Sequence, residues 1–175
     1  MPRYALIDAA RSPNIWPLVQ SEPEARSLFG GKIAPALAAA APWIVPIRPG
    51  TAFKQAFQTE GWGDFWGIAC FSPAPLREVR HSLRKCQQVM LPTGQPVLFR
   101  YYDPRVFVPM MRMADEGDIG PWFARVTDFW APDPDSGATI RFLRDGKGRL
   151  RTQAMTPERQ ATLAARAMGS APGSP

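Results

Sequence analysis

The chain has 175 residues, 45% of them hydrophobic, and a formal net charge of +6. That length and apolar content suit one domain with a sizeable core and exclude disorder over most of the chain. Twenty prolines predict many short elements rather than a few long helices.

Tyr4 to Asp8 (YALID) reads as a buried strand, short and apolar with a polar end. Arg11 to Gln20 holds two prolines and reads as a loop or a short helix. Leu28-Phe29-Gly30-Gly31 is a turn, and the Ala-rich Pro35 to Ala41 suits one or two helical turns. Trp43 to Ile47 reads as a strand whose Pro46 favours an edge or a strand end. Thr51 to Thr59 reads as a short helix with Phe53 and Phe57 on one face.

Trp66 to Phe71 is a strand, and Ser72-Pro73 then suits a helix start. Leu76, Val79, Leu83, Cys86 and Met90 keep helical spacing along Ala74 to Met90, while Arg77, Arg80, His81, Arg84 and Lys85 occupy the other faces. After a Thr93-Gly94 turn, Val97 to Tyr102 reads as a second strand. Asp103-Pro104-Arg105 switches strand to helix, with Asp as cap and Pro in the first turn. Val106 to Met113 continues it, with Pro109 as a kink or a stop.

Asp115 to Pro121 is an acidic loop, Trp122 to Trp130 an aromatic strand after a turn, and Asp133 to Gly137 a polar loop. Thr139 to Arg144 and Gly148 to Thr152 suit a hairpin around Asp145-Gly146. Thr156-Pro157 opens a last helix to about Met168, and Gly169 to Pro175 reads as a disordered tail. The alternation predicts an α/β domain with a mixed sheet flanked by helices over residues 1–130, a hairpin-and-helix appendage over 131–168 and a tail over 169–175.

Little in the chain points to chemistry. The single histidine, His81, sits on a basic helix face and reads as solvated. Cys70 and Cys86 lie among apolar neighbours and read as buried free thiols, with neither disulfide nor zinc spacing. A G-x-S-x-G elbow is missing, and Gly61-Trp62-Gly63 is followed by Asp64-Phe65 rather than by phosphate-loop spacing. Asp115, Glu116 and Asp118 suit a solvated acidic loop better than a calcium site. The expectation is therefore no catalytic, cofactor-binding or metal residues, and no cofactor.

Tyr4-Ala5-Leu6-Ile7-Asp8, Leu28-Phe29-Gly30, Ala41-Pro42-Trp43-Ile44-Val45, Trp66-Gly67-Ile68 with Phe71-Ser72, a helix carrying His81-Ser82-Leu83-Arg84, and Phe99-Arg100-Tyr101-Tyr102-Asp103-Pro104-Arg105 follow one another in order. This series, from about Tyr4 to Trp130, resembles the domain-of-unknown-function 4123 family, the type VI secretion effector chaperones or adaptors. The resemblance implies a non-enzymatic cytoplasmic adaptor that binds a cognate secreted toxin effector and helps load it onto the VgrG spike. A nucleic-acid-binding module is the alternative, because Thr139 to Arg166 holds seven basic and two acidic residues. No RRM, KH, zinc-finger or helix-turn-helix signature supports it. A hydrolase without a recognised motif is a third reading. No membrane partner is expected: no signal peptide is visible, and the apolar run Ile33 to Ile47 is too short to span a bilayer and is broken by prolines.

Candidate partner-binding residues are Trp62, placed between glycines, the Arg77, Arg80 and Arg84 helix face, and Arg100 and Arg105 beside Asp103. Arg100, Asp103, Pro104 and Arg105 also form a structural motif, in which Asp103 caps a helix and an arginine pairs with it.

Overall fold

A computed structural model describes residues 3–31, 33–115 and 117–156. In chain order these form β1 (Arg3–Asp8), α1 (Ile15–Gln20), β2 (Arg26–Ser27), α2 (Pro35–Ala38), β3 (Pro42–Pro46), α3 (Ala52–Ala56), β4 (Gly67–Phe71), α4 (Leu76–Arg84), β5 (Gln88–Met90), β6 (Pro96–Leu98), α5 (Pro104–Met113), β7 (Asp128–Pro132), β8 (Thr139–Arg144) and β9 (Leu150–Met155). Seven strands make one sheet in the order β2-β3-β1-β4-β7-β8-β9, and β5 pairs with β6 alone.

The apolar run of β1 explains its central place. Tyr4 and Leu6 face one core, with Ile44, Ile68 and Cys70 of its neighbours, Phe129 and Phe142 further along the sheet, Val79 and Leu83 of α4, and Phe107 and Met111 of α5. Ala5 and Ile7 face the other, with Val45, Ile15 and Val19 of α1, and Phe53 of α3. A strand clothed on both faces has no polar side, so its sequence shows no alternation.

Helices and strands share one domain as expected, but the sheet is antiparallel at every neighbouring pair rather than mixed. β3 and β4 are both antiparallel to β1 and so run the same way, yet β1 lies between them. The connection from β3 through α3 to β4 is therefore a crossover that skips one strand, and β1 fills the gap so that no parallel pair is hydrogen-bonded in this sheet. The predicted C-terminal hairpin forms, but it is not an appendage. β8 pairs with β7 from Asp128↔Leu143 to Pro132↔Thr139, making β8 and β9 the far end of the main sheet. Asp145 closes their turn by accepting N–H bonds from Lys147 (2.9 Å) and Arg149 (3.0 Å), with Gly148 at φ +83°. Those hydrogen bonds hold its carboxyl down at about 2. The last helix and tail expected after Thr156 lie outside the described residues.

Other boundaries moved. Ser72 does not cap α4; its Oγ accepts from the Ala74 N–H (2.9 Å) and donates to the Arg125 carbonyl, holding a turn before the helix starts at Leu76. The helix expected to reach Met90 ends at Arg84, because Leu91-Pro92-Thr93-Gly94 folds back and draws Gln88–Met90 into β5. The strand expected over Val97 to Tyr102 stops at Leu98. Beyond it the chain turns so that Tyr101 and Tyr102 enter the core, where the Tyr101 hydroxyl donates to the Leu83 carbonyl (3.1 Å). α5 runs through Pro109 to Met113, and Trp122 to Thr127 pass through a turn and bends, so the aromatic strand begins only at Asp128. Pro46 ends β3 beyond the two residues that β2 covers.

Candidate partner-binding surface

The junction around Asp103 is a structural lock. Asp103 caps α5 by accepting the Arg105 N–H (2.9 Å), and the Arg105 guanidinium adds two more bonds at 2.9 and 2.7 Å. Burial opposes the charge on Asp103, but these bonds outweigh it and hold its pKa below the usual carboxylate value. Arg100 does not join this pair. It crosses to the buried carboxylate of Asp8 at the end of β1, and that bond raises the arginine pKa. One arginine thus secures α5 and the other ties the preceding turn to the sheet.

Trp62, the candidate placed between glycines, is half-buried. Its indole N–H donates to Thr139 Oγ1 (2.9 Å) and its ring meets Phe57 edge-on at 5.5 Å, linking the turn after α3 to β8. Together with Arg3, Phe71, Trp130 and Thr139 it lines a groove of about 180 Å³.

α4 carries the basic face that its sequence predicts. Arg77, Arg80, His81 and Lys85 line an open cleft of about 980 Å³ against Ala124 and Arg125. Arg84 points elsewhere: its guanidinium lies where a Cβ on Gly30 would fall. Arg80 is half committed to structure, donating to the carbonyls of Ser27 (2.5 Å) and Phe29 (3.0 Å) and pinning the sheet edge to α4. Burial first, then the Arg84 and Arg26 charges, lower its pKa.

Directly after this helix comes a feature that the sequence reading missed. The β5–β6 hairpin holds Met90 62% exposed and Leu98 51% exposed, beside the exposed Val89 and Leu91. From Gln88 to Leu98 the chain has no charged residue. The available signal was Pro92-Thr93-Gly94 between two short apolar runs, a hairpin pattern. Gln87 roots the hairpin: its carbonyl accepts the Phe99 N–H (2.7 Å), while its buried side-chain Nε2 finds no partner among the described residues. A buried orphan donor costs roughly 1–3 kcal/mol. Gln87→Met should therefore raise stability by about 1 kcal/mol, read as a higher urea midpoint; a lower midpoint would show that the amide is satisfied in solution.

Among the described residues of the basic C-terminal third, three of the arginines are held by carboxylates. Arg141 pairs with buried Asp128 (2.9 Å), and Arg149 and Arg151 both pair with Asp145. Arg144 donates to the Gly148 carbonyl (2.9 Å). The two thiols are both free and buried. Burial pushes Cys86 up to about 11 and Cys70 well above the ordinary thiol value, so both hold their protons at neutral pH. No helix among the described residues is long and apolar enough to cross a membrane.

No curated protein and no solved structure matches the chain. A family model described as "Domain of unknown function (DUF4123)" matches residues 3–120. The match stops short of Trp130, so it spans β1 to β6 with the five α-helices of the described residues and leaves β7, β8 and β9 beyond it. With well over half its length inside that match, the chain belongs to the domain-of-unknown-function 4123 family.

Proposed function

We propose that this protein is a non-enzymatic cytoplasmic adaptor that holds a cognate type VI secretion effector and helps load it onto the VgrG spike. The observation that carries the reading is the uncharged hairpin with Val89, Met90, Leu91 and Leu98 turned to solvent. A lone two-stranded hairpin is marginal by itself. Unprotected strand edges with apolar side chains invite pairing with another chain, and β-augmentation is one way such a surface takes a peptide. The protonated, buried thiols of Cys70 and Cys86 are poorly suited to nucleophilic attack. The internal pairing of Arg141, Arg149 and Arg151 favours the adaptor over a nucleic-acid module built on the C-terminal third.

The test is co-expression of the tagged chain with the toxin encoded beside it and with the spike protein. The toxin should co-purify, and Met90→Glu with Leu98→Glu should release it while leaving the melting temperature unchanged. Failure to capture any adjacent toxin would overturn the reading. So would a turnover that disappears in Cys70→Ser or His81→Ala with the fold intact.

A further inference from the structure

We infer that the cleft between α4 and Arg125 receives a carboxylate-rich segment of a partner protein. This rests on the adaptor reading and names the chemistry of the segment held. Elsewhere the arginines are mostly neutralised: Arg11, Arg48, Arg100, Arg105, Arg112 and Arg141 each sit on a carboxylate. The α4 face differs. Among the described residues, no carboxylate pairs with Arg77 or Lys85, and the one acid in the cleft, Glu78, is already engaged by Arg125 at 3.3 Å.

Arg77, His81 and Lys85 fall at i, i+4 and i+8, so they form one ridge along the helix. At 1.5 Å per residue the ridge is about 12 Å long, which an extended chain covers in roughly four residues. Arg80 lies one turn from Arg77, and like charges at that spacing disfavour the helix that carries them; no carboxylate among the described residues pairs with Arg77 or Lys85 to relieve them. An incoming row of carboxylates does. The ridge ends at Lys85, three residues before the hairpin, so the occupant passes from acidic side chains on α4 to apolar ones beside Met90 and Leu98.

Nucleic acid fits less well. Among the described residues, the most exposed large apolar side chains are all aliphatic, a poor platform for stacking bases. A lipid surface is flat, whereas the charges line a cleft.

The test uses the whole chain and a fluorescein-labelled peptide of alternating glutamate and leucine, with a single-stranded oligonucleotide and phosphatidylserine vesicles as rival ligands. The peptide should bind more tightly than either rival, and more weakly as salt rises. Arg77→Glu with Lys85→Glu should weaken it about tenfold, while Lys54→Glu with Lys147→Glu, an equal charge change elsewhere, leaves it within about twofold. Unaltered far-UV circular dichroism and melting show that both pairs fold. Equal loss in both variants, no peptide binding, or tighter binding of the oligonucleotide or vesicles would overturn the inference. Pull-down of the neighbouring toxin separates the two proposals. A toxin retained by Arg77→Glu with Lys85→Glu as well as by wild type overturns the cleft and leaves the adaptor standing. A toxin not captured by wild type overturns the adaptor, while the peptide measurement still decides the chemistry of the cleft.

Discussion

Gly67→Ala should leave the protein largely insoluble or destabilise it by at least about 3 kcal/mol, the upper end of the usual cost of overfilling a core. Gly67 opens β4 opposite Ile7 of β1, and a Cβ there would lie 2.0 Å from the Leu6 carbonyl oxygen and 3.1 Å from the Ile7 Cα. These are backbone atoms of the central strand, so no side-chain rotation relieves the clash. β1 would have to move, and it carries both cores. Soluble yield and the urea midpoint check this; a midpoint within experimental error of wild type would mean that β1 and β4 do not meet as described.

Phe107→Ala should cost about 3–5 kcal/mol, or a fall of roughly 10 °C in melting temperature for a domain this size. Phe107 on α5 is fully buried, with Phe129 of β7 at 5.1 Å and Phe142 of β8 at 5.7 Å between ring centres. It therefore bridges the segment matched by the family and the strands beyond it. Near by, Arg112 of the same helix reaches Asp133 at 3.0 Å, beside the β7–β8 loop. Loss of the ring should loosen β7 to β9 selectively, seen as faster amide exchange in Phe129 and Phe142 than in Ala5 and Ile7. Uniform acceleration across the sheet would instead show that the two parts unfold as one.

What the sequence revealed was local. The apolar runs at Tyr4–Asp8 and Trp66–Phe71 announced their strands because burial on both faces leaves nothing polar to interrupt them. Asp103-Pro104 announced its helix because cap and first-turn proline act within a few residues. Asp145-Gly146 announced its hairpin in the same way, since the carboxylate bonds N–H groups two and four residues on. The strand β5 was hidden because Met90 falls on the same helical stripe as Leu83 and Cys86, and periodicity alone does not say where a stripe stops. The partners of Arg100 and Trp62 were hidden for another reason. Asp8 lies 92 residues from Arg100, and Thr139 lies 77 from Trp62, so only tertiary packing and strand register bring them together. The same register decided that Arg141 would be spent on Asp128 while α4 kept its charge.

The sheet order also has a consequence in time. Ala69 of β4 pairs with Trp130, which leaves the ribosome roughly 60 residues later. At about 5–20 residues per second, a nascent chain would carry the Gly67–Phe71 edge bare for some 3–12 s. That edge is apolar and uncharged. Translation speed across the α4 to α5 stretch, and the supply of factors that shield emerging polypeptides, should therefore govern how much of this protein reaches its finished form.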